Sequence, residues 1–482
     1  MTTSISAAML TKLLGPKDFA GPAYREIADR IRLLAVDGRI VDGSRLPSER
    51  ELATAMGVSR TTTSRAYAEL RDSGLLLSRQ GSGSVVHLPM ATSSSSSLII
   101  TQDDADTIAL TYSAPVGPPG LARAFESAAE KLPGLLATTG YLPDGLPALR
   151  EALAQRYTDQ GLPTDPDQII VTAGAMGAVS LLARTLLSQG QRVVVEGLSY
   201  PHAHESLAAA GGRLTPLPLD DRPWSPPALR AALEGAPHRA AYIVPDFHNP
   251  TGAVMSDEER SAWAFEMRRH DVVPVVDESL REMNLDGVEL PPVFATYSPR
   301  ALLIGSSSKS FWGGLRVGWI RAPKAAVMPI VQARMMDDLG SSAFDQLVFA
   351  ELLAEGGQTA AAGRARLRAA RDHLLAELAR ELPDIKAPCP PGGLNLWVTL
   401  PDRMSSRLTT AASRHGLVLT PGPRFVTHSA SAGERHLRLP YTQSHDTLTE
   451  AVRRLRLAYD DVVANTAHET RRHRTDILEL IA

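Results

Sequence analysis

The chain has 482 residues, too many for one ordinary core, so two or three domains are expected. Hydrophobic residues make up 44% and charged residues 21%, which excludes wholesale disorder, and the net charge of −3 excludes a globally basic nucleic-acid coat, so any such surface must be local. The single cysteine, Cys389, excludes an internal disulfide and a thiolate metal cluster, and no metal site is expected.

The N-terminus lacks a charged start followed by a long apolar core, and no uncharged apolar run reaches membrane-spanning length. The expectation is a cytoplasmic protein with no membrane contact. Residues 1–20 read as an N-terminal extension. Residues 21–90 are compact and charge-rich, and residues 1–88 carry twelve Lys and Arg against nine Asp and Glu, a mildly basic stretch within an acidic whole.

Within RLPSERELATAMGVSRTTTSRAYAELRDSGLLLSRQGSGSVVHL at 45–88, Ser48 can cap a helix whose apolar face is Leu52, Ala53 and Met56. Gly57 permits a tight turn, and Val58 packs back into the angle between two helices. Ser59 caps the second helix, which presents Arg60, Thr61, Thr62, Ser64 and Arg65 to solvent while Ala66, Tyr67 and Leu70 face inward. Arg can donate twice to guanine, and Thr can touch a thymine methyl or a phosphate, so this helix suits the major groove. Gly74 ends the helix; the next residues alternate as a two-stranded ribbon with a GSG tip, and Arg79 is available for a phosphate. The bland alternative is a small helical subdomain that pads the rest. The wording of the stretch argues otherwise: PSERELA, GVSRTT and GLLLSRQGSG resemble the GntR family of winged helix-turn-helix regulators. The resemblance implies that Arg50, Arg60 and the wing around Gly81 and Gly83 meet double-stranded DNA.

Residues 91–107, ATSSSSSLIITQDDADT, hold five consecutive serines and no apolar periodicity, and read as a linker. From 108 onward, short β-branched runs alternate with Ala- and Leu-rich stretches: QIIVTAG at 168–174, QRVVVEG at 191–197, AAYIVPD at 240–246, VVPVVDE at 272–278 and ALLIGSSS at 301–308. Strands alternating with helices imply an α/β fold with a mainly parallel sheet, in which ligands bind beyond the carboxyl ends of the strands. Residues 362–465, an Arg- and Ala-rich helical pattern followed by the strands GGLNLWVTLP and HLRLPYT, suit a smaller α+β C-terminal subdomain. The tail at 466–482 reads as a short amphipathic helix.

An aldehyde cofactor with a phosphate handle needs a lysine to form an imine, an acid for its ring nitrogen, a donor for its phenolic oxygen and donors for its phosphate. GSSSKSFWGGLRVGW at 305–319 offers Lys309 with Ser306 and Arg316 as phosphate donors. TAGAMGAV at 172–179 leads from a strand into a helix and places the amides of Gly174, Ala175 and Met176 at a helix N-terminus suited to phosphate. Alone, Lys309 would be one more solvated lysine and the Gly-rich turn a weak signal.

Together these stretches resemble the fold-type I aminotransferases, which bind pyridoxal 5'-phosphate. The resemblance implies that Asp277 of VVDE pairs with the ring nitrogen, that Asn249 of FHNPTG donates to the phenolic oxygen and that Tyr200 of EGLSYP lies over the ring. It also implies that Tyr141 of TGYLPDG reaches the phosphate of a second subunit in a homodimer, and that Arg438 of HLRLPYT grips an effector or substrate carboxylate. One departure stands out. The family has a tyrosine two or three residues after the aspartate, whereas this chain has Ser279 and Leu280. Losing that donor should disturb catalysis more than cofactor retention.

A GntR-like reader joined to an aminotransferase-like domain is similar to the MocR subfamily of GntR regulators. The function it implies is a transcription regulator whose second domain senses an amino compound or pyridoxal phosphate itself. The alternative is a working aminotransferase that carries a DNA-binding module.

Overall fold

The computed structural model describes residues 4–15, 19, 21–36, 40, 44–72, 75–79, 83–86, 107–219, 223–427 and 430–481. The chain divides into two compact units, residues 1–105 with 459–482, and residues 106–458. The expected linker at 91–107 lies outside the described residues except for Thr107, as does Gly74.

The first unit contains helices α1 (Ala7–Leu14), α2 (Ala23–Val36), α3 (Glu49–Met56) and α4 (Arg60–Asp72), then the antiparallel strands β1 (Leu76–Arg79) and β2 (Gly83–Val86). Helix α3 begins as its sequence dictates. The Ser48 hydroxyl accepts from Glu51 N at 3.2 Å, and the Glu51 carboxylate accepts from Ser48 N at 2.8 Å, a reciprocal cap worth about 1 kcal/mol. Gly57 ends it at φ 58°, a left-handed conformation that glycine adopts without strain. The inward residues Leu52, Met56, Ala66, Tyr67 and Leu70 are buried as expected, with Val58 packed against them. Part of the expected N-terminal extension joins this core. Helix α1 puts Leu10 and Leu14 into the same core as Ile27, Ile31 and Tyr67, because a three-helix reader this small leaves apolar surface that another amphipathic helix can cover.

The second unit is built on a seven-stranded sheet of β4 (Ile169–Thr172), β5 (Arg192–Val195), β6 (Arg213–Pro216), β7 (Ala240–Ile243), β8 (Val273–Asp277), β9 (Leu302–Ser306) and β10 (Gly318–Arg321). Its spatial order is β4-β10-β9-β8-β7-β5-β6, and every neighbouring pair is parallel except those of β10. The near-continuous apolar runs follow from burial on both faces. Ile170, Val193, Tyr242, Val275 and Ile304 pack on one side, while Val171, Val194, Ala241, Val276 and Leu303 pack on the other. The five expected strands are present; β6 and β10 are additions to them. Trp319 of β10 pairs with Gly305 of β9, and a Cβ on Gly305 would lie 2.1 Å from the indole, so only glycine lets the ring cross there. The indole stacks on Phe349, with ring centroids 5.7 Å apart, and donates to Tyr157 Oη at 3.0 Å.

The smaller sheet runs β11-β13-β12-β3, from β3 (Ile108–Leu110), β11 (Asn395–Thr399), β12 (Leu417–Pro421) and β13 (His436–Pro440). This corrects the expected boundary at 362, since β3, the first strand after the linker, pairs in parallel with β12 and belongs to that subdomain. Nor is the tail at 466–482 a separate short helix; it continues a single helix, His445–Ile481. Among the described residues no helix is long and apolar enough to cross a membrane.

Because Leu10 is fully buried, Leu10→Ala should destabilise the first unit by about 2–5 kcal/mol. Denaturant unfolding of the full chain, followed by hydrogen exchange in α3 and α4, reads this directly. A change below about 0.5 kcal/mol, the size expected of an exposed position, would return α1 to the status of an appendage.

Candidate functional site

In the first unit, Arg50, Arg60, Thr61 and Arg65 are exposed, as a groove-reading surface requires. Arg65 does not float freely: its guanidinium lies 4.4 Å from the centroid of the Tyr24 ring, a cation–π contact that holds it over α2. The Ser59 hydroxyl accepts from Thr62 N at 3.0 Å and lies 2.7 Å from Thr62 Oγ1, so these two hydroxyls close the start of α4. Ser64 departs from expectation. It is half-buried, and its hydroxyl donates to Glu49 at 2.6 Å, because Glu49 also draws Arg71 at 3.3 Å and so ties α4 to α3. Tyr67 Oη adds a bond to the Pro47 carbonyl at 2.8 Å. On the wing, Gly83 opens β2 opposite Arg79; Gly81 and the Arg79 side chain lie outside the described residues.

In the second unit the expected cofactor residues converge at the carboxyl ends of the parallel strands. Lys309 sits on the turn Ser307–Ser310 directly after β9, and its Nζ donates to the Ser113 carbonyl at 2.8 Å. Burial pushes its amine down to about 8, and the cations of Arg438 and Arg316 push the same way against the pull of Asp277. Asp277 ends β8, buried. Its Oδ2 accepts from Tyr242 Oη at 2.7 Å and its Oδ1 from Ser279 N at 2.9 Å, which fixes the carboxylate plane. Tyr242 comes from β7, and burial, then the Asp277 charge, push its phenol well above the ordinary range, so it stays a donor.

Arg316 lies in the left-handed region at φ 50°, and its Nη2 donates to the Ala173 carbonyl at 3.1 Å. Gly174 has φ 75°, which favours glycine, and a Cβ there would stand 2.9 Å from that Nη2, so the guanidinium would have to shift. Gly174 opens the helix Gly174–Leu186, which no side chain caps. Ala175 and Met176 follow in its first turn. The Ser306 hydroxyl accepts from Ser308 N at 3.2 Å, whereas the buried hydroxyls of Ser308 and Ser310 have no partner.

Arg438, on β13, is buried, with its guanidinium 4.7 Å from the Phe425 ring centroid. It donates to the Thr111 carbonyl, but its buried Nε has no partner. Burial brings it down to about 10, still a cation near neutrality. Tyr200, at the head of the helix Pro201–Ala209, is close enough to Arg438 and Asp277 for both charges to act on its hydroxyl, though burial is the larger influence and raises it. Tyr141 stands 67% exposed, outside this cluster. Leu280 is buried in the fold, and the buried Ser279 hydroxyl has no partner, so this stretch supplies no phenol.

Sequence reasoning missed Asn395, Ser113, Tyr242 and Glu196. Ser113 Oγ donates to Asn395 Oδ1, and Asn395 Nδ2 reaches Asn249 Oδ1 at 3.5 Å, which leaves the Asn249 NH2 as the group available to donate. Glu196 is fully buried just beyond β5 and takes bonds from Trp224 Nε1, Ser199 Oγ and Val244 N at 2.7, 2.7 and 2.9 Å, with His248 3.4 Å away. Burial raises its carboxyl, but His248 and these donors outweigh that and hold it below the ordinary range. Only the EGLSYP and FHNPTG loops, quoted for other residues, hinted at this network.

The donor set fits a phosphorylated aldehyde. An uncapped helix N-terminus, Arg316 and unpartnered serine hydroxyls stand near a lysine whose amine is readily neutral, and a carboxylate faces them. A cationic Arg438 with an unpaired Nε adds a place for a second anion.

The geometry agrees with the comparisons. Residues 123–455 match the family of class I and II aminotransferases, and residues 23–86 match the bacterial regulatory proteins of the GntR family. The chain is 27% identical over 455 residues to the uncharacterized HTH-type transcriptional regulator YdfD of Bacillus subtilis, covering 87% of this chain and 92% of that one. It is 28% identical over 413 residues to the HTH-type pyridoxine biosynthesis transcriptional regulator PdxR of Corynebacterium glutamicum, covering 82% and 87%. Among solved structures, the α-aminoadipate aminotransferase LysN of Thermus thermophilus, complexed with N-(5'-phosphopyridoxyl)-L-leucine, superimposes with a TM-score of 0.66 at 27% identity, covering 74% of this chain and 93% of that one.

With the Lys309 amine depressed to about 8, its reaction with an aldehyde should quicken as pH rises and level off above that value, since only the neutral amine attacks. Stopped-flow absorbance of pyridoxal phosphate addition across pH measures the midpoint. A midpoint in the ordinary lysine range, near about 10.4, would contradict the described environment.

Proposed function

The chain belongs to the class I and II aminotransferase family and carries a GntR-family module ahead of it, and from that premise we propose a DNA-binding transcription regulator that senses an amino compound through pyridoxal 5'-phosphate held on Lys309. The single observation that carries the reading is the half-buried Lys309, its amine on the Ser113 carbonyl and set among Asp277, Arg316 and Arg438, in one chain with a helix-turn-helix. Lys309 would carry the cofactor through its amine; Gly174, Ala175, Met176, Ser306 and Arg316 would hold the phosphate, Asp277 the ring nitrogen, Asn249 the phenolic oxygen and Tyr200 the ring face. Bound in this way, the cofactor supplies an electrophilic carbon and an electron sink. Arg438 takes the carboxylate of the amino compound, for which its unpaired Nε is already desolvated.

Arg50, Arg60, Thr61 and Arg65 are the reading surface for double-stranded DNA, with Ser59, Thr62 and Ser64 setting the pose of α4 and the wing residues Arg79, Gly81 and Gly83 meeting the backbone. DNA as partner implies a cytoplasmic setting. A homodimer is supported by the apolar surface around Tyr141: Leu136, Met335 and Met336 are 75%, 55% and 84% exposed, and Leu142 N bonds to Leu339 O at 3.1 Å, which brings these loops together. In such a dimer Tyr141 reaches the partner's phosphate site.

A second reading, a working aminotransferase, is favoured by the intact set of Lys309, Asp277, Asn249, Arg316 and Arg438. Against turnover stands the lack of a tyrosine at 279 or 280. The names of YdfD and PdxR, both HTH-type regulators, support sensing.

Borohydride reduction of the pyridoxal phosphate-loaded protein, followed by peptide mass mapping, should place the label on Lys309. Label elsewhere, or none, overturns the reading. In unreduced pyridoxal phosphate-loaded protein a panel of amino acids should give bound adducts without stoichiometric oxo acid; its release would carry the enzyme reading instead.

A further inference from the structure

We propose that the segment Thr111–Ser113 is the element that reports ligand occupancy, because the two side chains a ligand must engage are the ones that hold it in place. This rests on the function proposed above for Lys309 and Arg438. Three successive carbonyls of the segment accept from side chains: Thr111 O from Arg438, Tyr112 O from Thr442 Oγ1 at 3.4 Å and Ser113 O from Lys309 Nζ at 2.8 Å. The first and last donors are cations, the stronger kind of bond, and the middle one is a long neutral contact. The Ser113 hydroxyl adds a fourth tie, to Asn395 Oδ1.

Placement makes the ties consequential. The segment follows β3 without a break, and β3 follows the linker of 91–107, so the chain passes from the reader into the large unit through these residues. On the far side Arg366 holds the chain at the carbonyls of Val116 and Gly117. Between those bonds and the β3–β12 pairing, no ladder secures 111–113 among the described residues.

Ligand arrival acts on the ties in two stages. An aldehyde that takes Lys309 Nζ consumes the free ammonium, and Ser113 O loses that donor. When a carboxylate engages the Arg438 guanidinium, Thr111 O loses its own. The segment is therefore held by both cations in the free protein and by Arg438 alone with the cofactor; an amino acid shifts the loss to the other end, since its carboxylate takes Arg438 from Thr111 O while its amine displaces Nζ from the aldehyde carbon and returns Lys309 as a free amine. Each loss loosens β3 and the chain that enters it, and this is the change that reaches the reader through the linker.

Hydrogen–deuterium exchange of the full-length protein tests this. Amides 108–114 should exchange about tenfold faster with pyridoxal 5'-phosphate, and stay faster than in the free protein when glycine is added, while β4, β9 and β10 stay protected. Pyridoxine 5'-phosphate, which has no aldehyde, should leave the segment protected. Equal loosening by that compound, or unchanged or slower exchange with pyridoxal phosphate, overturns the proposal. Lys309→Ala, free of any ligand, should show the loosened segment at once, and Thr442→Val, which spares the cofactor residues, should loosen it in part. If both leave exchange as in the parent chain, the ties do not hold the segment, whatever the borohydride label shows. If Lys309 takes no label yet Lys309→Ala still loosens 108–114, the ties stand and the functional reading falls.

Discussion

The larger unit turns on one lysine amine held among two arginines and a single carboxylate. Such an amine is costly to charge, so it persists only where the surrounding fold fixes it. The sheet supplies that. Lys309 emerges from β9, the third of seven strands, with β8 delivering Asp277 on one side and β10 closing the other. Trp319 crosses over Gly305 to seat β10, and its register returns the chain so that Arg316 lies against Gly174. A side chain at Gly305 would push β9 and β10 apart, and one at Gly174 would displace the Arg316 guanidinium.

Buried polar groups elsewhere in the unit carry the same logic outward. Glu196 and His248 join the loops beyond β5 and β7. Asp246, fully buried, takes Arg260 and Arg281, the latter at 3.0 Å, and so ties the β7 loop to the chain that follows Asp277. Each carboxylate is paired and satisfied from several directions, the condition under which a buried charge is tolerated. Glu278, next in sequence to Asp277, is pushed up to about 7 by burial and by the nearby Asp246, with Arg281 and Arg260 working against the rise. The loops that shape the site are thus fastened to one another rather than left to move singly.

How much of this is legible in the sequence differs by kind of feature. Strands buried on both faces announce themselves as apolar runs, and the loops after them carry strings whose resemblance to the fold-type I aminotransferases points to Lys309, Asp277, Asn249, Arg316 and Arg438. The cap at Ser48 and the turn at Gly57 are equally plain, because local chemistry decides them. What escapes depends on distant partners. The pairing of β3 with β12 joins opposite ends of the unit, and β10 reads as part of the lysine loop rather than as a strand. Ser64 reads as free because nothing in its own helix reveals Glu49 on the helix before it. Asn395 and Tyr242 sit inside apolar strands with no motif around them; only the assembled sheet shows that one meets Asn249 and the other Asp277. The absent tyrosine is visible as a gap, and Tyr242, from another strand, meets Asp277 rather than refilling that position.

One central claim joins the two units: covalent occupancy of Lys309 changes how the chain binds DNA. It is tested most directly by titrating the full-length protein into DNA from the region upstream of its own gene, with and without pyridoxal 5'-phosphate, for the parent chain and for Lys309→Ala. The account predicts that the cofactor shifts the dissociation constant or the footprint of the parent chain and leaves the variant, which still binds DNA, unmoved. A parent chain indifferent to the cofactor, or a variant that responds as fully as the parent, would contradict it.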